Sequence, residues 1–99
     1  MKIPDKLKIM GKTFNVTMQQ SLTRDDGQSL LGQVFHAQLT VKINSSLPRQ
    51  TQDSTLLHEI IEAVCDLNEI EIPHSTICIL SENLYQVLKD NKLHFDEED

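Results

Sequence analysis

Leu39-Thr40-Val41-Lys42-Ile43-Asn44-Ser45-Ser46-Leu47-Pro48 decides the fold, because the hydrophobic period changes across it. Before Ser45, Leu39, Val41 and Ile43 alternate with polar residues, the period of a strand with one buried face. After Pro48 the period lengthens. Leu57, Ile60, Ile61, Val64 and Leu67 recur at helical spacing, and the hydroxyls of Ser45 and Ser46 followed by Pro48 are helix-start chemistry. The sequence therefore predicts strands before this point and helices after it, an α+β arrangement.

Working back toward the N-terminus, Lys6 to Met10 alternates apolar residues with lysines, Gly11-Lys12 supplies a turn, and Thr13 to Met18 is β-prone, which predicts a hairpin. A polar loop through Arg24-Asp25-Asp26-Gly27 separates it from a second strand pair, Gly32 to His36 and Leu39 to Ile43, with its turn near His36-Ala37-Gln38. Toward the C-terminus, a first helix is expected to start between Ser45 and Asp53 and to end near Leu67. Glu71-Ile72-Pro73 interrupts it. A second helix follows from His74 to about Asp90 with Asn91 as its C-cap. The expected fold is two N-terminal β-hairpins forming a small antiparallel or mixed sheet packed on two C-terminal helices. Core faces are assigned to Leu57, Ile60, Ile61, Val64 and Leu67 on the first helix and to Ile77, Leu80, Leu84, Val87 and Leu88 on the second.

The chain has 99 residues, enough for one core, and is read as a single domain over residues 1–92 followed by an acidic tail over 93–99. Two cysteines, Cys65 and Cys78, no apolar run of membrane-spanning length and no signal-peptide core suggest a cytoplasmic protein with reduced thiols that does not enter a membrane. Net charge is −6 and uneven: residues 1–49 hold seven Lys and Arg against three Asp and Glu, residues 50–99 two against twelve. The lysines of the first half are scattered and lack an aromatic stacking platform, which argues against nucleic acid. The acidic second half suits cation binding, although solvated helix faces and the tail account for much of its charge.

Within that second half, Thr55-Leu56-Leu57-His58-Glu59-Ile60-Ile61-Glu62 places His58 and Glu62 one helical turn apart, with Glu59 beside them. This is His-Glu-x-x-His with a carboxylate in the last position. A catalytic zinc commonly takes three protein ligands of His and carboxylate type. His58 and Glu62 supply two, and His74, opening the second helix on the stripe beside its core face, is the expected third, with Cys78 one turn further on as the alternative. Glu59 is then the general base, and Tyr85 a group to steady the developing oxyanion. Each residue also has a plain explanation: Glu62 as a solvated helix residue, His74 as an exposed helix start, and Cys65 and Cys78 as small core residues. A zinc site closed by Cys65, Cys78 and His58, holding the fold together, is a further reading. His36 and His94 receive no role.

The order of parts, with the run Leu56-Leu57-His58-Glu59-Ile60-Ile61 on the first helix and Leu84-Tyr85-Gln86-Val87-Leu88-Lys89-Asp90-Asn91 ending the second, resembles small zincin-like proteins of phages and prophages of Gram-positive bacteria. The likeness covers roughly residues 6–92. It implies a minimal gluzincin-type fold, a zinc ion, a peptide or protein substrate, His58 as first ligand and Glu59 as general base. Two positions depart from the family pattern: Glu62 stands where the relatives carry the second His, and Cys78 falls near the position of their ligating Glu. The resemblance therefore leaves two expectations, a zinc peptidase with a rebuilt ligand set, or a zincin fold serving as a binding or regulatory protein without catalysis.

Overall fold

The computed structural model describes residues 2–93 and Phe95; His94 and the acidic residues 96–99 of the expected tail lie outside the described residues. Four strands, β1 (Lys6–Ile9), β2 (Lys12–Gln19), β3 (Gly32–Phe35) and β4 (Thr40–Asn44), precede two helices, α1 (Arg49–Leu67) and α2 (His74–Asp90). The strands form one mixed sheet in the order β1-β2-β4-β3, packed against the helices, so the fold is α+β as expected.

Both hairpins form. The two-residue turn of the first is Met10-Gly11, one residue earlier than expected, and both residues have positive φ, the geometry whose twist matches that of the flanking strands. The second hairpin pairs β3 with β4 antiparallel, Val34 opposite Val41. Its β4, rather than β3, then lies parallel to β2, with Val41 beside Val16. Burial selects this order. Val41 and Ile43 have no exposed surface, while all four residues of β3 are only half-buried, so the more apolar strand takes the centre and β3 becomes an edge.

α1 begins directly after Pro48, which occupies the N-cap position, and no serine hydroxyl caps it. Ser46 instead donates its backbone N–H to Asn44 Oδ1, and Gln52 Nε2 bonds the carbonyl of Leu47, so side chains before and inside the helix hold the entry turn. Both helices close alike. Ile70 N–H bonds Cys65 O and Leu93 N–H bonds Leu88 O, with Glu69 and Lys92 left-handed in the position usually given to Gly. Asn91 is the C-cap of α2, as expected.

α1 packs on β1, β3 and β4 on one flank and on α2 on the other, whereas α2 touches no strand among the described residues. This arrangement corrects the core faces inferred from periodicity. On α1 the fully buried apolar residues are Leu56 and Ala63, on the flank facing the sheet; of the expected face, Ile60 and Leu67 are half-buried and pack against that core, Leu57 and Ile61 are half-buried, and Val64 is 38% exposed. On α2 only Ile77 of the expected face is buried; Leu80, Leu84 and Val87 remain more than 40% exposed because a single neighbour covers that helix. Phe14, Val41, Ile43 and Leu56 are the large side chains at the centre of the core.

α1 approaches the sheet closely at Gly32. A Cβ there would stand 2.8 Å from Thr55 Cγ2, 3.0 Å from the Lys42 carbonyl oxygen and 3.1 Å from Glu59 Cγ. Only a residue without a side chain lets α1 sit this close to the edge strand. Gly32→Ala is expected to destabilise the protein by about 1–3 kcal/mol in urea unfolding. Adding Thr55→Ser, which removes the nearest methyl, should recover part of that loss; a Gly32→Ala midpoint equal to wild type would show the approach is not constraining.

Candidate metal centre

Five of the six residues singled out from the sequence meet where α1, α2 and the edge of the sheet converge. Helical spacing puts His58 Nε2 3.1 Å from Glu62 Oε1 on α1. The turn after Leu67, closed by the left-handed Glu69 and by Pro73, starts α2 with His74 beside the same carboxylate, its Nδ1 3.2 Å from Glu62 Oε1. Two imidazoles thus share one oxygen, and their rings meet edge to face with centroids 4.8 Å apart. Cys78 lies one turn after His74, and the donor atoms of His58, His74 and Cys78 all fall within 4.8 Å of one another. The donor atoms of His58, Glu59 and Glu62 meet the same limit, so the described residues form a His/Cys/Glu cluster able to hold a metal ion.

Glu59 differs from its neighbours. It is 3% exposed, it lies on the flank of α1 that faces Gly32, and its Oε1 is buried without a hydrogen-bond partner. Burial, reinforced by the charge and hydrogen bond of Glu62, pushes its carboxyl up to about 8. Glu62 moves the other way. The hydrogen bond from His58 holds it below the ordinary carboxylate range, opposed by partial burial and assisted by His58 charge and by His74. Two carboxyls one turn apart are thereby driven to opposite protonation states, one ionised and the other neutral at pH 7.

Two clefts flank the imidazoles. The larger, about 490 Å³, opens between the sheet edge and α2, where α2 stands clear of the strands; His58, Glu59, His74 and Cys78 line it together with Leu30 and Leu31. The smaller, about 310 Å³, lies against the α1–α2 connection and contains Glu62, Cys65 and His74. Asn44, which is buried, fixes the wall of the larger cleft, its Nδ2 donating to Leu30 O and its backbone N–H to Leu31 O.

Not every sequence expectation converges here. Tyr85 lines neither cleft; its ring lies under the Lys89 ammonium, 5.6 Å from the centroid. Cys65 is buried and belongs to neither donor group among the described residues. Glu82, which shares the polar stripe of α2 with His74 and Cys78, also lines the larger cleft, as do Arg24 and Gln28, which carried no signal in the sequence; Arg24 is held by Asp26 at 2.7 Å and by Gln28. His36, given no role, ties the β3–β4 turn to α1 through Asp66, Nε2 to Oδ2 2.7 Å across 30 residues of sequence. No known protein family, curated protein or solved structure matches this chain.

The raised Glu59 has a signed consequence for stability. Its carboxyl is neutral in the folded chain up to about 8 but ionises near 4.5 when unfolded. Its contribution is therefore complete below the lower value and is lost as pH rises through the upper, with a limiting slope of about 1.4 kcal/mol per pH unit. Thermal unfolding in a chelator between pH 5 and 8 should lose stability faster for wild type than for Glu59→Gln, which has no charge to desolvate. Parallel pH profiles for the two proteins would show that Glu59 is not a buried acid.

Proposed function

We propose that the protein is a zinc-dependent hydrolase of the zincin type acting on an extended peptide, with His58, Glu62 and His74 holding the ion and Glu59 serving as general base. One observation carries this reading: two imidazole nitrogens stand 3.1 and 3.2 Å from a single carboxylate oxygen beside a buried carboxyl with an unpartnered oxygen. Adjacent donors around a tetrahedral zinc, with bonds of about 2.0–2.1 Å, are separated by ~3.3 Å. The two nitrogen–oxygen separations are close to that value, and both imidazoles also belong to a donor group within 4.8 Å, His58 with His74 and Cys78, while Glu62 joins His58 in the other. Two His and one carboxylate are also the donor set of catalytic zinc, here divided as one His and one Glu on α1 and one His on α2.

When bound, zinc supplies Lewis acidity, polarising a carbonyl and bringing the pKa of water to about 7. The remaining work belongs to the chain. Glu59 lines the larger cleft with its unpartnered oxygen, and a cation beside it favours its ionised form, so it accepts a proton from the attacking water and returns it to the leaving amine nitrogen. Among the described residues the outer edge of β3 has no neighbouring strand, and Leu30, Leu31 and Gly32 at its start form one wall of the cleft. A peptide lying along that edge pairs through its backbone, which favours an extended substrate over a compact one. Tyr85, which lines neither cleft, has no part in this scheme.

Elemental analysis of the untagged protein is expected to find one zinc per chain, lost in His58→Ala and in Glu62→Ala. Glu59→Gln should keep the zinc and lose peptide hydrolysis by about 10²–10⁴-fold. Protein without stoichiometric zinc, or a Glu59→Gln variant as active as wild type, would overturn the proposal.

A further inference from the structure

The two clefts divide the donors. Glu62 belongs to the smaller one, Cys78 to the larger one, and His74 to both. An ion held by His58, His74 and Glu62 has its remaining coordination position to fill, and the cleft that admits substrate, lined also by Glu59, contains a thiol whose sulfur lies within 4.8 Å of a donor nitrogen on each imidazole. Cys78 is half-buried on the second turn of α2 and is a free thiol, and the other cysteine, Cys65, is buried beside the smaller cleft. Thiolate is a strong zinc ligand, and zinc with four protein ligands is closed, whereas catalysis needs one position open.

We propose that Cys78 is a fourth, displaceable ligand that competes with water and substrate at the metal centre, so that wild-type hydrolysis is slowed by the thiol and rises when the thiol is removed from the ion. This rests on the zinc reading above and adds a regulatory element to it. Closing the site breaks the S–H bond, forms a sulfur–metal bond and releases the proton to solvent. Any electrophile that caps the sulfur prevents that bond and leaves the fourth position to water, while His58, Glu62 and His74 retain the ion.

Two measurements test this, one of them on the unaltered chain. Loaded with cobalt(II), the wild-type protein should show sulfur-to-cobalt charge-transfer absorption, and Cys78→Ala should lose that band while still binding one equivalent of metal. In peptide mapping after iodoacetamide, where a carbon–sulfur bond forms and iodide leaves, Cys78 should be alkylated in chelator and protected by one equivalent of zinc. Cys65, being buried, should stay unmodified in both conditions. Alkylated protein and Cys78→Ala should then hydrolyse peptide faster than untreated wild type. Cobalt bound without the sulfur band, or Cys78 alkylated equally with and without zinc, would overturn the fourth ligand and leave the three-ligand hydrolase intact. If neither zinc nor cobalt binds the wild-type chain, the hydrolase reading and this one fall together.

Discussion

The whole arrangement depends on α1 having two neighbours. It lies against the sheet on one flank and against α2 on the other, and the eight residues from Thr55 to Glu62 are distributed between those flanks. Thr55 and Glu59 fall toward the sheet, where Gly32 makes room for them. His58 and Glu62, the latter three residues beyond Glu59, fall toward α2 and meet His74. Adjacent residues His58 and Glu59 therefore enter different environments, one able to share an ion with the second helix and the other desolvated against the edge strand. Their chemical roles separate because their neighbours do.

Much of this was legible from the residues. Alternation in Leu39, Val41 and Ile43 marked β4, the residues around Gly11 marked the first hairpin, and the break at Pro73 marked the start of α2, because each signal is local. The parallel pairing of β2 with β4 was not legible: it depends on which strand of the second hairpin carries the more buried side chains, a property of the assembled sheet. The helix cores were only partly placed, Ile60, Leu67 and Ile77 correctly and Leu56 and Ala63 missed, for a related reason. A helical wheel ranks residues by hydrophobicity and finds one stripe, yet α1 buries Leu56, Ala63 and Glu59 together because the sheet covers that flank whatever their polarity.

In the site, spacing identified His58, Glu59, Glu62, His74 and Cys78, since helical geometry fixes which residues on each helix share a side. It could not show that Glu62 sits between both imidazoles, or that Glu59 is almost wholly buried, because both facts depend on how closely the helices and the sheet approach. Tyr85 illustrates the opposite error. It lies on the same general side of α2 as Cys78, but nearly two turns further along, beyond the ends of both clefts. Angle alone brought it to the site; rise along the axis took it away.

Because α2 rests on α1 and, among the described residues, on no strand, its polar stripe supplies donors to the centre without taking part in the packing of the sheet. The half of the molecule that carries the burden of folding is thus separate from the half that contributes His74 and Cys78. Such modularity makes the centre evolvable: imidazole, thiol or carboxylate can be exchanged on an outlying helix while the platform beneath it persists unchanged.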